Sequence, residues 1–199
     1  KEYLPYRPKD LPAKIVAVAN FKGGVGKTST CAHLAMSAAL DGYKVLMVDL
    51  DSQGSLSSIF GAQIEDEWQT VFPLLARHYA ETLRIDNQRR IDRGDPPIAV
   101  EDALNEALKV KAADLIRPTH WPNIDLIGAQ LNLYWAEFQI PVWRMASRGW
   151  KLWDALTETL AADGVLEDYD LIFIDTPPAL GYLTINGLAA ADIVLVPFG

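Results

Sequence analysis

The chain has 199 residues, half of them hydrophobic, with 18 Lys and Arg against 26 Asp and Glu for a net charge of −8. This suits one α/β domain with a sizeable core and excludes a disordered chain; no stretch is long and apolar enough to span a membrane, and no signal-peptide pattern is visible. The lone cysteine, Cys31, excludes an internal disulfide and any paired-cysteine zinc or iron–sulfur site, and the acidic balance argues against a surface built mainly to grip nucleic acid.

The first residues, "KEYLPYRPKDLP", are punctuated by proline and read as a linker over 1–13 leaving an upstream domain. "KIVAVAN" is a β-branched apolar run ahead of a glycine-rich stretch, as a buried strand before a loop should be. "KTSTCAHLAMSAALDGYK" is Ala- and Leu-rich and predicts a helix, with Gly42 placed to cap its end. "KVLMVDLD" is a second apolar strand, ending in acid. Strand, loop, helix and strand make a βαβ unit, the building block of parallel sheets.

The middle of the chain says less. "DEWQTVFPLLARHYAETL" and "VEDALNEALKVKAADLI" have helical spacing. Between them "RIDNQRRIDRGDPP" reads as a solvated loop or insertion, and its basic core, "RRIDR", is short and set among acids. "NIDLIGA" predicts a strand, as does "YDLIFID" up to Asp175. "YLTINGLAAA" predicts a short helix, and "DIVLVPFG" reads as a central strand on which the sequence stops. Those two edges together read as an excerpt of a longer chain. Trp143, Trp150 and Trp153 fall at i, i+7 and i+10, the spacing of one helical face, and read as packing. His33, His78 and His120 lack ligand spacing, and Cys31 reads as a buried, inert thiol.

Three stretches carry chemistry. In "NFKGGVGKTST", Gly23, Gly24 and Gly26 let successive N–H groups turn toward one anion, with Val25 and Ser29 inside the same loop. The helix starting near Lys27 adds its positive end, Lys27 can reach β- and γ-phosphates, and Thr28 has the hydroxyl that binds Mg²⁺. The pattern departs from the usual phosphate loop twice: Phe21 stands where glycine is expected, and Lys22 is a second lysine. In "VDLDSQG", Asp49 and Asp51 alternate on an extended chain, with Gln53 beyond. They sit where α/β sheets bind ligands, and either can hold Mg²⁺ through water or orient an attacking water, unless one merely caps a helix. Asp175 ends an apolar strand, the position of the metal-supporting acid in a phosphate-loop site, with Pro177 and Pro178 stiffening the exit.

These stretches, "KGGVGKTST", "VLMVDLDSQGSLS" and "YDLIFIDTPPALGYLTINGL", in this order, resemble the deviant Walker-box ATPases of the ParA family, which segregate plasmids and chromosomes. The likeness is best to the ParA-type proteins of alphaproteobacterial replication–partition operons. It covers Lys14 to Ser58 and Tyr169 to Phe198 and is poor from Ile64 to Pro122, where Tyr79 to Pro97 reads as an insertion. The resemblance implies a P-loop NTPase fold over 14–199, a mostly parallel twisted sheet with helices on both faces. It implies ATP/ADP and Mg²⁺ as ligands, with Thr28, Asp49 and Asp175 supporting the metal and Asp51 or Asp49 handling the water. Lys22 becomes the signature lysine, which reaches the phosphates of the other subunit, so the implied state is an ATP-bound homodimer. The implied partners are non-specific DNA, a ParB-like centromere-binding protein and possible operator DNA, met in a bacterial cytoplasm at the nucleoid with no membrane. The same resemblance implies an alternative role: larger plasmid members carry an upstream helix-turn-helix and repress their own operon in response to nucleotide.

Overall fold

A computed structural model describes residues 11–198. The linker and upstream domain expected before residue 14 fall almost wholly outside that range. β1 (Lys14–Val18) leads through the glycine loop into α1 (Lys27–Leu40), and β2 (Val45–Asp49) and α2 (Ser55–Ile59) follow. Next come α3 (Phe72–Asp92), α4 (Asp102–Ala107), α5 (Ala112–Leu115), β3 (Ile116–Pro118) and β4 (Ile124–Ile127). The chain continues through α6 (Ala136–Ala146), α7 (Ala155–Ala162), α8 (Val165–Asp168), β5 (Leu171–Asp175), α9 (Tyr182–Ala190) and β6 (Ile193–Leu195).

The six strands form one sheet in the order β3-β4-β2-β5-β1-β6. All neighbours are parallel except the short β3, which runs antiparallel to β4. Because side chains alternate across a strand, the sheet divides the core in two. Ile15, Ala17, Leu46, Val48, Ile172 and Ile174 pack on one face beneath α3, α6, α7 and α9. Val16, Val18, Val45, Met47 and Phe173 pack on the other beneath α1 and α2. Helices therefore cover both faces of a mostly parallel sheet, as the family resemblance implied.

Two sequence expectations change. The segment expected as a loop is largely helix: α3 runs unbroken through Arg84–Asp92, and only the residues around Gly94 leave it. Its first half, Pro73 to Ala80 together with Leu83, is buried and holds the helix in place, so the polar second half needs only ordinary propensity to continue. The three tryptophans do not share a helix. Trp143 lies in α6, which ends at Ser147, so Trp150 reaches the core from the following turn while Trp153 stays exposed. Trp143 stacks on Tyr79 at 5.1 Å, and Trp150 meets both edge-on. Among the described residues β6 pairs with β1, and Ile193 and Val194 are exposed.

Gly54, which precedes α2, has φ of +61°, and a Cβ there would sit 2.8 Å from the Ala129 carbonyl oxygen. Both the left-handed backbone and the contact oppose any side chain. Gly54→Ala is expected to cost about 1–3 kcal/mol, seen as a lower midpoint in urea, with an unchanged midpoint refuting this account.

Candidate functional site

The phosphate loop lies between β1 and α1, at the carboxyl edge of the sheet. Gly24 and Gly26 have φ of +74° and +83°, conformations that side chains rarely adopt. No atom lies within 4 Å of where a Cβ would stand on Gly23, Gly24 or Gly26, so the loop encloses open space. The amino end of α1 has no side-chain cap and no acid in its first turn. Its free N–H groups and partial positive charge thus face that space without a protein partner. The two lysines differ: Lys27 is buried, whereas Lys22 is exposed on the loop. Asn20 braces the loop, accepting the Lys22 N–H at 2.9 Å and donating to the Pro197 carbonyl at 2.7 Å.

Asp49 and Asp175 end adjacent parallel strands and are partners in register. Both are fully buried. Asp49 is well provided with donors. Its Oδ2 accepts from the Ser57 N–H at 3.0 Å and the Ser57 hydroxyl at 2.8 Å, and its Oδ1 accepts from the Asp51 N–H at 3.1 Å. It thereby ties α2 to the sheet, although the N-cap residue of α2 is Gly54 and not an acid. Asp175 is the opposite case: neither buried carboxylate oxygen has a hydrogen bond of normal geometry, and the Thr28 hydroxyl is the donor near enough to pull on it. Burial, then the charge of Asp175, pushes Asp49 up to about 7. Burial and Asp51 push Asp175 up to about 6, against the opposing pull of Thr28 and Lys27. Cys31 is buried beneath the loop, and burial followed by the two acids drives its thiol up.

Asp51 lies beyond the end of β2, so the alternation expected of an extended strand does not continue to it. It is half-buried, and its Oδ1 accepts the Gln53 N–H at 3.0 Å. It lines a recess of about 380 Å³ with Gln53, Tyr134, Glu137 and Pro177. Sequence reasoning missed three residues that build this region. The Thr176 hydroxyl, buried, donates to the Val18 carbonyl at 2.9 Å and locks the exit of β5 to the end of β1. Ser57 accepts the Ala129 N–H at 2.8 Å while donating to Asp49. Glu137 accepts the N–H groups of Tyr182 and Leu183 at 2.7 and 2.9 Å, capping α9 from α6. Their partners lie far off in sequence, so no local pattern betrays them. Glu137→Ala should cost about 1–2 kcal/mol, the usual loss for a helix cap, with amide exchange accelerated first at Tyr182 and Leu183; uniform exchange across the sheet would contradict it.

An open glycine loop, an uncapped helix end and a buried acid on the neighbouring strand together define a P-loop nucleoside-triphosphatase domain. Comparisons with known proteins agree. Residues 13–199 match the family described as AAA domain. A Sinorhizobium fredii protein provisionally named replication protein A is 36% identical, over 98% of this chain and 42% of its own length. The chromosome partitioning protein ParA of Caulobacter vibrioides is 32% identical, over 94% of this chain and 56% of its own. A solved Mycobacterium smegmatis structure, titled cobyrinic acid a,c-diamide synthase with bound ADP and magnesium, superposes with a TM-score of 0.68. It is 31% identical, covering 94% of this chain and 60% of that one. The chain thus spans about half the length of the curated relatives it matches. It belongs to the ParA family within the AAA domain family. Among the described residues no helix is long and apolar enough to cross a membrane.

Proposed function

We propose that this chain is the ATP-hydrolysing switch of a DNA partition system. The observation that carries the reading is Asp175, a fully buried carboxylate beside Lys27 and Thr28 whose oxygens lack a hydrogen bond of normal geometry. A buried carboxylate without well-placed donors is costly, and such a site suits a group that brings its own charge. Among the described residues no cluster of three or more His, Cys, Asp or Glu could cage a metal ion. Magnesium needs none, because it keeps most of its waters and takes one or two protein ligands plus phosphate oxygens. Thr28 through its hydroxyl and Asp175 through water fit that demand. The ion, when bound, neutralises charge that builds on the phosphate oxygens during transfer.

The remaining work falls to this chain's own groups. The α1 amides and Lys27 hold the β- and γ-phosphates. Asp51, half-exposed at the mouth of its recess, orients and deprotonates the attacking water. Asp49 is already engaged by Ser57 and by the Asp51 N–H, so it acts first by fixing the turn that presents Asp51 and reaches the metal only through water. Lys22, exposed on the loop, supplies its ammonium to the nucleotide of a second copy. ATP thus drives dimerisation, the dimer holds DNA, and a centromere-binding partner triggers hydrolysis and release.

The test is binding of the intact protein to random-sequence and operator duplexes with ATP, with ADP and without nucleotide. ATP-dependent binding to random duplex is the expected result. Binding confined to operator, strongest with ADP, would make repression the main activity. Binding to neither in any nucleotide state would refute the partition reading.

A further inference from the structure

The basic run that the sequence presents as a solvated stretch does not stay dispersed. Arg89, Arg90 and Arg93 occupy the last turn of α3 and the residue after it. Arg148, from the turn after α6, comes to the same place from 55 residues further along. Together they line an open recess of about 430 Å³. Among the described residues the sole carboxylate within ion-pairing distance of these four is Asp86, 3.6 Å from Arg89. Asp86 also accepts the hydroxyl of Ser147. Arg90 is held by the Pro96 carbonyl at 2.7 Å, a contact that orients a guanidinium without neutralising it. Among the described residues, then, Arg90, Arg93 and Arg148 share this recess with no carboxylate in ion-pairing distance.

The carboxyl end of a helix attracts cations, which accounts for Arg89 and Arg90 but not for Arg148. All four are arginine rather than lysine, and the guanidinium fork matches the paired oxygens of a phosphate. We infer that this recess is a contact site for the phosphate backbone of duplex DNA. The inference rests on the partition reading above and adds a location to it, on the α3–α6 layer and built from residues that take no part in holding ATP. An overall acidic protein needs such a local reversal of charge if it is to approach a polyanion at all.

The test uses intact protein, ATP with Mg²⁺ and a random-sequence duplex, titrated between about 50 and 200 mM salt. The variant Arg89→Gln/Arg93→Gln/Arg148→Gln is compared with a charge-matched control, Lys109→Gln/Arg117→Gln/Lys151→Gln, whose cations are exposed elsewhere. The recess variant should lose at least tenfold in affinity beyond the control, and its salt slope should flatten by about 2 to 3, as expected for three lost phosphate contacts. Replacement of the same three by lysine should recover most of the slope but less of the affinity. ATP hydrolysis without DNA should be unchanged in every variant. If recess and control variants bind alike while the parent binds DNA, the inference is overturned and the partition reading stands. If the parent binds no DNA in any nucleotide state, both fall together.

Discussion

Asp175→Asn is expected to make the nucleotide-free protein more stable while reducing ATP hydrolysis by a factor on the order of 10² to 10³. The two effects share one cause. In the folded chain this carboxylate is buried beside Asp49, and neither oxygen has a hydrogen bond of normal geometry, the Thr28 hydroxyl being the donor that pulls on it. An ionised group in that position destabilises the fold, and a neutral amide of the same shape removes the penalty. The gain should be about 1–3 kcal/mol, the typical cost of a buried unpaired polar group, or a rise of several degrees in Tm. The sign with pH follows from the folded value near 6, raised from the ordinary carboxylate range. The folded state then binds the proton more tightly than the unfolded one, so ionisation costs stability above pH 6. The advantage of the variant should be full at pH 7.5, shrink as pH falls through 6, and vanish near pH 4. Calorimetry on metal-free protein across that range reads it directly. A variant that is less stable at pH 7.5 would mean that Asp175 has an unseen partner and is not a site waiting for charge.

Lys22→Ala should leave ATP binding nearly intact while hydrolysis falls by a factor of about 10³, the scale of a cation supplied in trans to a transferred phosphoryl group. Lys27→Ala should instead abolish binding, because that lysine is buried at the foot of α1. Mixing distinguishes a trans from a cis role. In a dimer of one Lys22→Ala subunit and one Asp51→Asn subunit, the first keeps Asp51 and receives Lys22 from the second. Equal amounts of the two inactive variants should then recover about a quarter of parental activity, since about half the dimers are mixed and each has one working site. If Lys22 acted within its own subunit, both sites of every mixed dimer would be dead. No recovery, with mixed dimers shown to form, would remove Lys22 from the partner's site.

What the sequence could reveal tracks how local each feature is. The phosphate loop needs only three glycines between an apolar run and a helix, and all of these are contiguous. β1, β2, β4 and β5 announce themselves because strands buried on both faces are apolar throughout. The second half of α3 was hidden for the reverse reason: residues 84 to 92 are polar nearly all round, and polar helices look like loops. The tryptophan spacing misled because a helical period does not know where a helix stops, and α6 stops at Ser147. At the site, Asp49, Asp51 and Asp175 were visible as strand-end acids, but their separate environments were not. Only the fold shows that Ser57 engages Asp49 while Asp175 lacks a hydrogen bond of normal geometry.

The position of β1 has a consequence for how the protein is made. Its neighbours in the sheet are β5 and β6, the last strands of the described chain, and the Thr176–Val18 hydrogen bond that secures it joins residues 158 apart. The glycine loop is synthesised well ahead of β5, so the strand beneath it cannot be flanked until the residues up to Asp175 have emerged. Contacts of such long range form slowly. Nascent chains should therefore be unable to retain ATP until β5 has left the exit tunnel, a gap that nucleotide binding to stalled chains of graded length would reveal.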